Sequence, residues 1–298
     1  MKALVTGASG FVGAHLARRL TRDGHRVATL VRPGSHRGDL PPIAAIHVHD
    51  GSVAGLKAIV EAAEPDVVFH LAALFVDRHQ PQDIERLLAA NVLFSTQLAD
   101  AMARCGVRHL VNTGTSWQHD ADGAGRPVTL YAATKQAFES ILTYYVDAHE
   151  MSVITLKLFD TYGPCDRRGK LLTRLAGMAR TGESLAMSPG EQLLDIVHVD
   201  DVVDAFVAAA DRLLDGKVSG LEDYAVSSGD PLPLRSVIEL FSKVAGRPIG
   251  IDWGARPYRF REVMVPWRTG PAVPGWRPRI GLEDGFRQLL AESGGAAA

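Results

Sequence analysis

The feature that most restricts this chain is a rhythm. Through the first half, short apolar runs alternate with longer helical stretches. KALVTG, RVATLVR, IAAIHVHD, VVFHLAA, RHLVNTGT and SVITLKLF read as strands, and VGAHLARRLTRDG, GLKAIVEAAEPD, IERLLAANVLFSTQLADAMARCG and YAATKQAFESILTYYVDAH as helices. Strands that are apolar at nearly every position are buried on both faces. Together these patterns predict a Rossmann-type, doubly wound parallel α/β sheet. After about Asp160 the rhythm loosens. LLDIVHVDDVVDAFVAAADRLL predicts a strand running into a helix capped near Asp200 or Asp201. The stretch 247–279 is rich in Pro, Arg and Trp and suits an irregular lobe. The expected organisation is a dinucleotide-binding domain over 1–160, with 192–214 returning to it. A smaller C-terminal substrate lobe takes 161–191 and 215–292, and 293–298 is a disordered tail.

The turn TGASGFVG places Gly7, Gly10 and Gly13 between the first strand and the first helix. Glycines there allow close backbone approach to a pyrophosphate, and the helix N-terminus offers free N–H donors. The spacing is GxxGxxG, so position rather than pattern carries the reading. The second strand ends TLVRPGSHR, without the acid that grips an NAD ribose. Arg32 stands at that place, with Arg37 nearby, which favours NADP(H) over NAD(H); a solvated surface arginine is the bland alternative. Asp50 either accepts from the adenine amino group or caps the next helix.

Charge excludes other classes. The 298 residues carry a net charge of −2, so no basic field suits nucleic acid or a membrane surface. No apolar run reaches the ~18 residues of a membrane span. The start MKALVTGASG lacks the apolar core of a signal peptide, and Cys105 and Cys165 lack metal-ligand spacing, so a cytoplasmic protein without a metal is expected.

LYAATKQAF sets Tyr131 and Lys135 one helical turn apart. Tyrosine ionises only near ~10, and a neighbouring ammonium lowers that value. Such a pair makes a proton donor for a carbonyl under reduction. Alone, the spacing equally describes a surface pair. The glycine turn, and a strand that delivers Thr115 and Ser116 to the carboxyl edge of the sheet, favour the site. His70 and His198 read as satisfied core histidines, and Cys165 as an unreactive loop thiol.

With TGASGFVG, DVVFHLAA, AANV, VNTGTS, YAATK, LKLFDTYGP, DIVHVDDV and GWRPRIGLEDG in order, the chain resembles an extended short-chain dehydrogenase/reductase of the NAD-dependent epimerase/dehydratase family, which acts on nucleotide-activated sugars. Within it, NTGTSWQ and KLFDTYGP look most similar to CDP-abequose synthase-like 4-ketoreductases. The resemblance implies a catalytic Thr115, Tyr131 and Lys135 and a structural Asn91. It implies cofactor contacts from Gly7, Gly10, Phe11, Val12, Gly13, Arg32, Asp50, Leu71, Ala72 and Ala73, as well as Tyr131 and Lys135. Substrate contacts are expected from Thr115, Ser116, Trp117, Asp160 and Arg259, although Trp117 equally suits packing. A homodimer through helices around 84–104 and 131–149 follows from the same resemblance.

Departures narrow the chemistry. The dehydratases of the family carry Thr-Asp-Glu where this chain has Thr115-Ser116-Trp117, and neither Ser nor Trp replaces a carboxyl group in elimination. Asp160 stands for a usual Asn; it either hydrogen-bonds the sugar or base, or caps the loop. Leu194 replaces an expected Arg, and the arginines of RPYRFREV are the compensating candidates. The leading expectation is NADPH-dependent reduction of the 4-keto group of a nucleotide-activated deoxysugar. The alternatives are a C4-epimerase with tightly bound NAD and a non-catalytic dinucleotide sensor.

Overall fold

The computed structural model describes residues 1–42 and 44–295. Its strands are β1 (Lys2–Thr6), β2 (Arg26–Val31), β3 (Ala45–Val48), β4 (Val67–His70), β5 (His109–Thr115), β6 (Ser152–Leu158), β7 (Asp160–Tyr162), β8 (Ser184–Met187), β9 (Leu193–Leu194), β10 (Ile196–His198), β11 (Leu221–Val226), β12 (Leu232–Pro233) and β13 (Gly250–Trp253). Its α-helices are α1 (Phe11–Arg22), α2 (Val53–Ala63), α3 (Ile84–Leu88), α4 (Phe94–Arg104), α5 (Leu130–His149), α6 (Leu171–Thr181), α7 (Val199–Leu214), α8 (Leu234–Ala245) and α9 (Leu282–Gly295). Seven strands form one sheet in the order β11-β6-β5-β4-β1-β2-β3. Every pairing in it is parallel. The fold is the doubly wound sheet that the strand–helix rhythm predicts.

Both faces are covered, which explains the unbroken apolar strands. Val5 and Phe69 pack with Leu16 and Leu20 of α1 and Phe206 and Leu213 of α7. Leu4 and Val68 pack on the other face with Leu56 of α2, Met102 of α4 and Phe138 of α5. Side chains of this size each contribute roughly 1.5–3 kcal/mol on full burial. A separate core of Tyr162, Leu175, Val237, Phe241 and Phe286 holds the lobe.

Four details differ from the sequence expectation. Leu221–Val226 lies inside the span assigned to the lobe, yet it is the edge strand beside β6. The helix expected over 84–106 is interrupted by a π-helical turn at Ala89–Leu93. Helix α7 is capped by His198, whose ring accepts from the Asp200 N–H at 3.2 Å, rather than by Asp200 or Asp201. Asp201 is instead buried, and its carboxylate accepts from the N–H groups of Arg279 and Ile280, both at 3.0 Å. Finally, α9 runs to Gly295, so 293–295 are helical; the rest of the expected tail lies outside the described residues. Among the described residues no helix is long and apolar enough to cross a membrane.

Candidate active site

The carboxyl ends of β1 and β4 meet at the glycine turn. Gly7 follows β1 at φ +71°, and a Cβ there would stand 2.6 Å from Ala72 N and from Leu71 C. Gly13 is equally tight, since its Cβ would meet Gly7 O at 2.2 Å. The turn thus presses against the strand end carrying Leu71, Ala72 and Ala73. Gly10 is the N-cap of α1 and supplies no side-chain cap, so the first-turn donors stay available to a ligand. A cavity of about 290 Å³ opens there, lined by Gly10, Phe11, Arg18 and Arg168 among others. Val12, one position on, is partly buried against the sheet core.

A second cavity of about 450 Å³ lies past β2 and β3, lined by Arg32, Ser35, His49 and Asp50. Arg32 is exposed and carries no acid beside it on β2. Asp50 serves the start of α2: Oδ1 accepts from both the N–H and the hydroxyl of Ser52 at 2.8 Å. Ser52 in turn caps α2 by accepting from Gly55 N–H at 2.9 Å. Asp50 therefore supports the cap while also lining the cavity. The first space lies at the helix N-terminus and glycine turn, and the second beyond the carboxyl ends of β2 and β3.

The proposed triad sits at the same edge. Thr115 ends β5, and its Oγ1 accepts from the Trp117 N–H at 3.3 Å, leaving the hydroxyl proton to donate elsewhere. Helix α5 begins next to it, capped by Thr129, which accepts from Ala132 N–H at 3.1 Å. Tyr131 lies in the first turn and Lys135 one turn on, 2% exposed. Burial pushes Tyr131 up to about 12, opposed by the nearby Arg168 cation. The expected lowering by Lys135 does not appear: Arg168 is the cation that acts on Tyr131, and desolvation of the phenolate outweighs it. Burial holds Lys135 down to about 8, with Glu139 pulling upward. At neutral pH the tyrosine is protonated and the lysine mostly charged, the states a proton donor and its partner need.

Asn91, in the π-helical turn, positions this helix. Its Oδ1 accepts from Leu74 N–H at 2.7 Å, and its Nδ2 donates to Leu74 O and Thr134 Oγ1, both at 3.0 Å. His70 is a satisfied core histidine, 2.8 Å from Thr6 Oγ1 and 2.9 Å from Ser95 Oγ. Burial lowers it to about 3, so it stays neutral.

The lobe adds a cleft of about 680 Å³ lined by Phe75, Trp117, Asp160 and Arg259, with further cations Arg78, Lys170, Arg174 and Arg256. Phe75 packs edge-on to Tyr131 at 5.0 Å and tilts against Trp117 at 5.8 Å, linking cleft and triad. Ser116 is buried, only 7% exposed, and does not line the cleft. Asp160 is exposed in the cleft, where its charge acts on Lys170. Arg259 is already engaged: Nε and Nη2 donate to Glu262 at 3.0 and 2.8 Å, and Nη1 lies 3.7 Å from Asp77.

Three residues escaped the sequence reading. Gln118 and Glu139 carry legible signals: TSWQ is a capping-box spacing, and Glu139 follows Lys135 by four. Arg168 has none. It reaches the site only because its loop folds back, pairing with Asp166 at 2.7 Å and lying 4.4 Å over the Phe11 ring.

Comparison with known proteins agrees with this geometry. The chain is 25% identical over 294 residues to a CDP-abequose synthase of Salmonella muenchen, covering 97% of each chain. It is 28% identical to a UDP-glucose 4-epimerase of Mycolicibacterium smegmatis, again covering 97% of each. The solved structure of MoeE5 in complex with UDP-glucuronic acid and NAD superposes with a TM-score of 0.84 at 27% identity, covering 99% of this chain and 100% of that one. Residues 3–224 match the NAD dependent epimerase/dehydratase family, and the chain belongs to that family.

Proposed function

We propose that the protein reduces the 4-keto group of a nucleotide-activated deoxysugar with NADPH. The observation that carries this is a half-buried Tyr131 one helical turn before the buried Lys135 at the start of α5, with Thr115, Ser116 and Trp117 where elimination would need two carboxyl groups. Gly7, Gly10, Phe11, Val12, Gly13, Leu71, Ala72 and Ala73 would hold the cofactor's diphosphate side, and Arg32 and Asp50 its adenosine end. The bound nicotinamide would supply the hydride. Tyr131 donates the proton to the carbonyl oxygen as it becomes an alkoxide. Lys135 stabilises the phenolate left behind and reaches the ribose. Thr115 donates a hydrogen bond to the same oxygen, where charge develops.

A nucleotide sugar is supported by relatives named for CDP- and UDP-linked sugars and by the cationic lining of the cleft. Arg256 and Arg259 line the cleft and would meet a diphosphate there, with Glu262 releasing part of its hold on Arg259. Trp117 and Asp160, which line the same cleft, would flank the sugar. NADPH over NADH rests on Arg32, the basic residue at the end of β2. Residues 161–191 and the segments after β11 act as the substrate lobe. Exposed Ile84, Leu88 and Leu93, with Tyr144 on α5, give a homodimer its apolar seam.

A second reading, C4-epimerisation with tightly bound NAD, is favoured by the epimerase relative of equal coverage. One experiment separates the two. NADPH and NADH are offered separately with CDP-, dTDP-, GDP- and UDP-linked 4-keto-6-deoxy sugars. Faster loss of NADPH with one of them is the expected result. No consumption with any, and NAD released on denaturing the purified protein, selects the epimerase.

A further inference from the structure

Behind the triad lies a polar chain that the reaction as described does not use. Gln118 Oε1 accepts from the Thr115 N–H at 2.9 Å, and Gln118 Nε2 donates to Glu139 Oε1 at 2.8 Å. Glu139 is partly buried and follows Lys135 by one helical turn, on the same face. Its other oxygen lies 3.4 Å from Lys157 Nζ on β6. Lys157 in turn lies 3.2 Å from Asp223 on β11 and 2.7 Å from His119 Nε2. Since His119 Nδ1 lies 3.2 Å from Gly123 O, the tautomer that fits donates from Nδ1 and accepts from Lys157 at Nε2. Burial and Lys157 both lower His119, consistent with a neutral ring.

Space enforces this arrangement. A Cβ on Gly114 would meet Gln118 Oε1 at 2.8 Å and Glu139 Oε1 at 3.1 Å, so the amide and carboxylate sit against the β5 backbone. Burial pushes the Glu139 carboxyl up and the Asp223 carboxylate adds to it, while Lys157 and Gln118 draw it back down. The titratable groups coupled to Lys135 are Glu139, one turn on along α5, and, from β4, the neutral His70. Glu139 is thus the acid that acts on Lys135 among the described residues.

We propose that Glu139 is a positioning residue that ties the two arms of the site together: it holds the Thr115 backbone through Gln118 and provides the counter-charge for the Lys135 ammonium. This rests on the reductase reading for its catalytic consequence, but the pairing itself is testable without turnover. Lysine labelled with ¹³C at Cε is titrated by NMR in the intact protein, as wild type and as Glu139→Gln, Glu139→Asp and Gln118→Met, and turnover is measured in parallel.

The Lys135 midpoint is expected to fall by about one pH unit or more in Glu139→Gln, as loss of a nearby opposite charge does. Glu139→Asp keeps the charge and should keep the midpoint. Gln118→Met should leave the midpoint in place while lowering kcat by about tenfold with an unchanged KM for cofactor, because Thr115 loses its anchor. An unmoved midpoint in Glu139→Gln overturns the counter-charge. Should that variant not fold, full kcat in Gln118→Met overturns the positioning arm. A wild type inert toward every keto sugar rejects the reductase reading, whereas the midpoint comparison still decides the pairing.

Discussion

Asn91 donates from Nδ2 to Thr134 Oγ1 at 3.0 Å, and Thr134 donates to the Tyr131 carbonyl at 2.7 Å. The π-helical turn on the far side of the site is thereby bonded to the first turn of α5. Leu74 is gripped by the same amide, one residue before the Phe75 ring that packs on Tyr131.

Asn91→Leu should remove all three bonds and strand the Leu74 N–H and C=O. The expected cost is about 1–3 kcal/mol, the price of buried groups left unpaired. Urea denaturation measures it. Turnover should fall with it, because Phe75 and Tyr131 lose their common support; a variant as stable and as active as wild type would contradict this role.

His70 makes stability fall in acid. Its folded value, about 3, lies below the ordinary ~6.5, so the unfolded chain binds the proton first. The contribution is complete above the unfolded value and is lost as pH drops from there toward 3. At pH 5 the loss is on the order of 2 kcal/mol. Melting curves of His70→Gln between pH 4.5 and 7 should be flatter than those of wild type. Parallel curves would show that another group sets the acid limit.

Arg32 should choose the cofactor. Arg32→Ala is expected to weaken NADPH about 10- to 100-fold, as loss of a charge-assisted contact does, and to leave NADH nearly unchanged. Fluorescence titration with each cofactor at low and moderate salt reads this directly. Equal weakening of both would place Arg32 outside the discriminating contact.

The legible part of the molecule is the part with period and position. Apolar runs such as ALV and VVF are buried on both faces, so their burial is written into every residue. The glycines between β1 and α1 were equally plain, because backbone crowding at Gly7 and Gly13 admits nothing larger. The strand Leu221–Val226 is not legible, since its first half is only partly buried at the sheet edge, and LEDYAV lacks the continuous apolar signature. The His198 cap is hidden in the sequence because Asp200 and Asp201 outrank histidine as caps. The tuning of Tyr131 is not legible for a different reason: spacing reveals that Lys135 follows by one turn, but not how much solvent the fold removes. Arg168 and Glu262 enter the site through loops whose course no local pattern specifies.

The most direct test of the account is single-turnover reduction by Tyr131→Phe. NADPH and the keto sugar turned over by wild type are mixed with excess enzyme, and nicotinamide absorbance is followed after cofactor affinity has been measured separately. The account predicts unchanged NADPH binding with hydride transfer slowed by about 10²–10⁴-fold, the usual worth of a positioned proton donor. Near-normal transfer in the variant would contradict it and take the proton-donating role away from Tyr131.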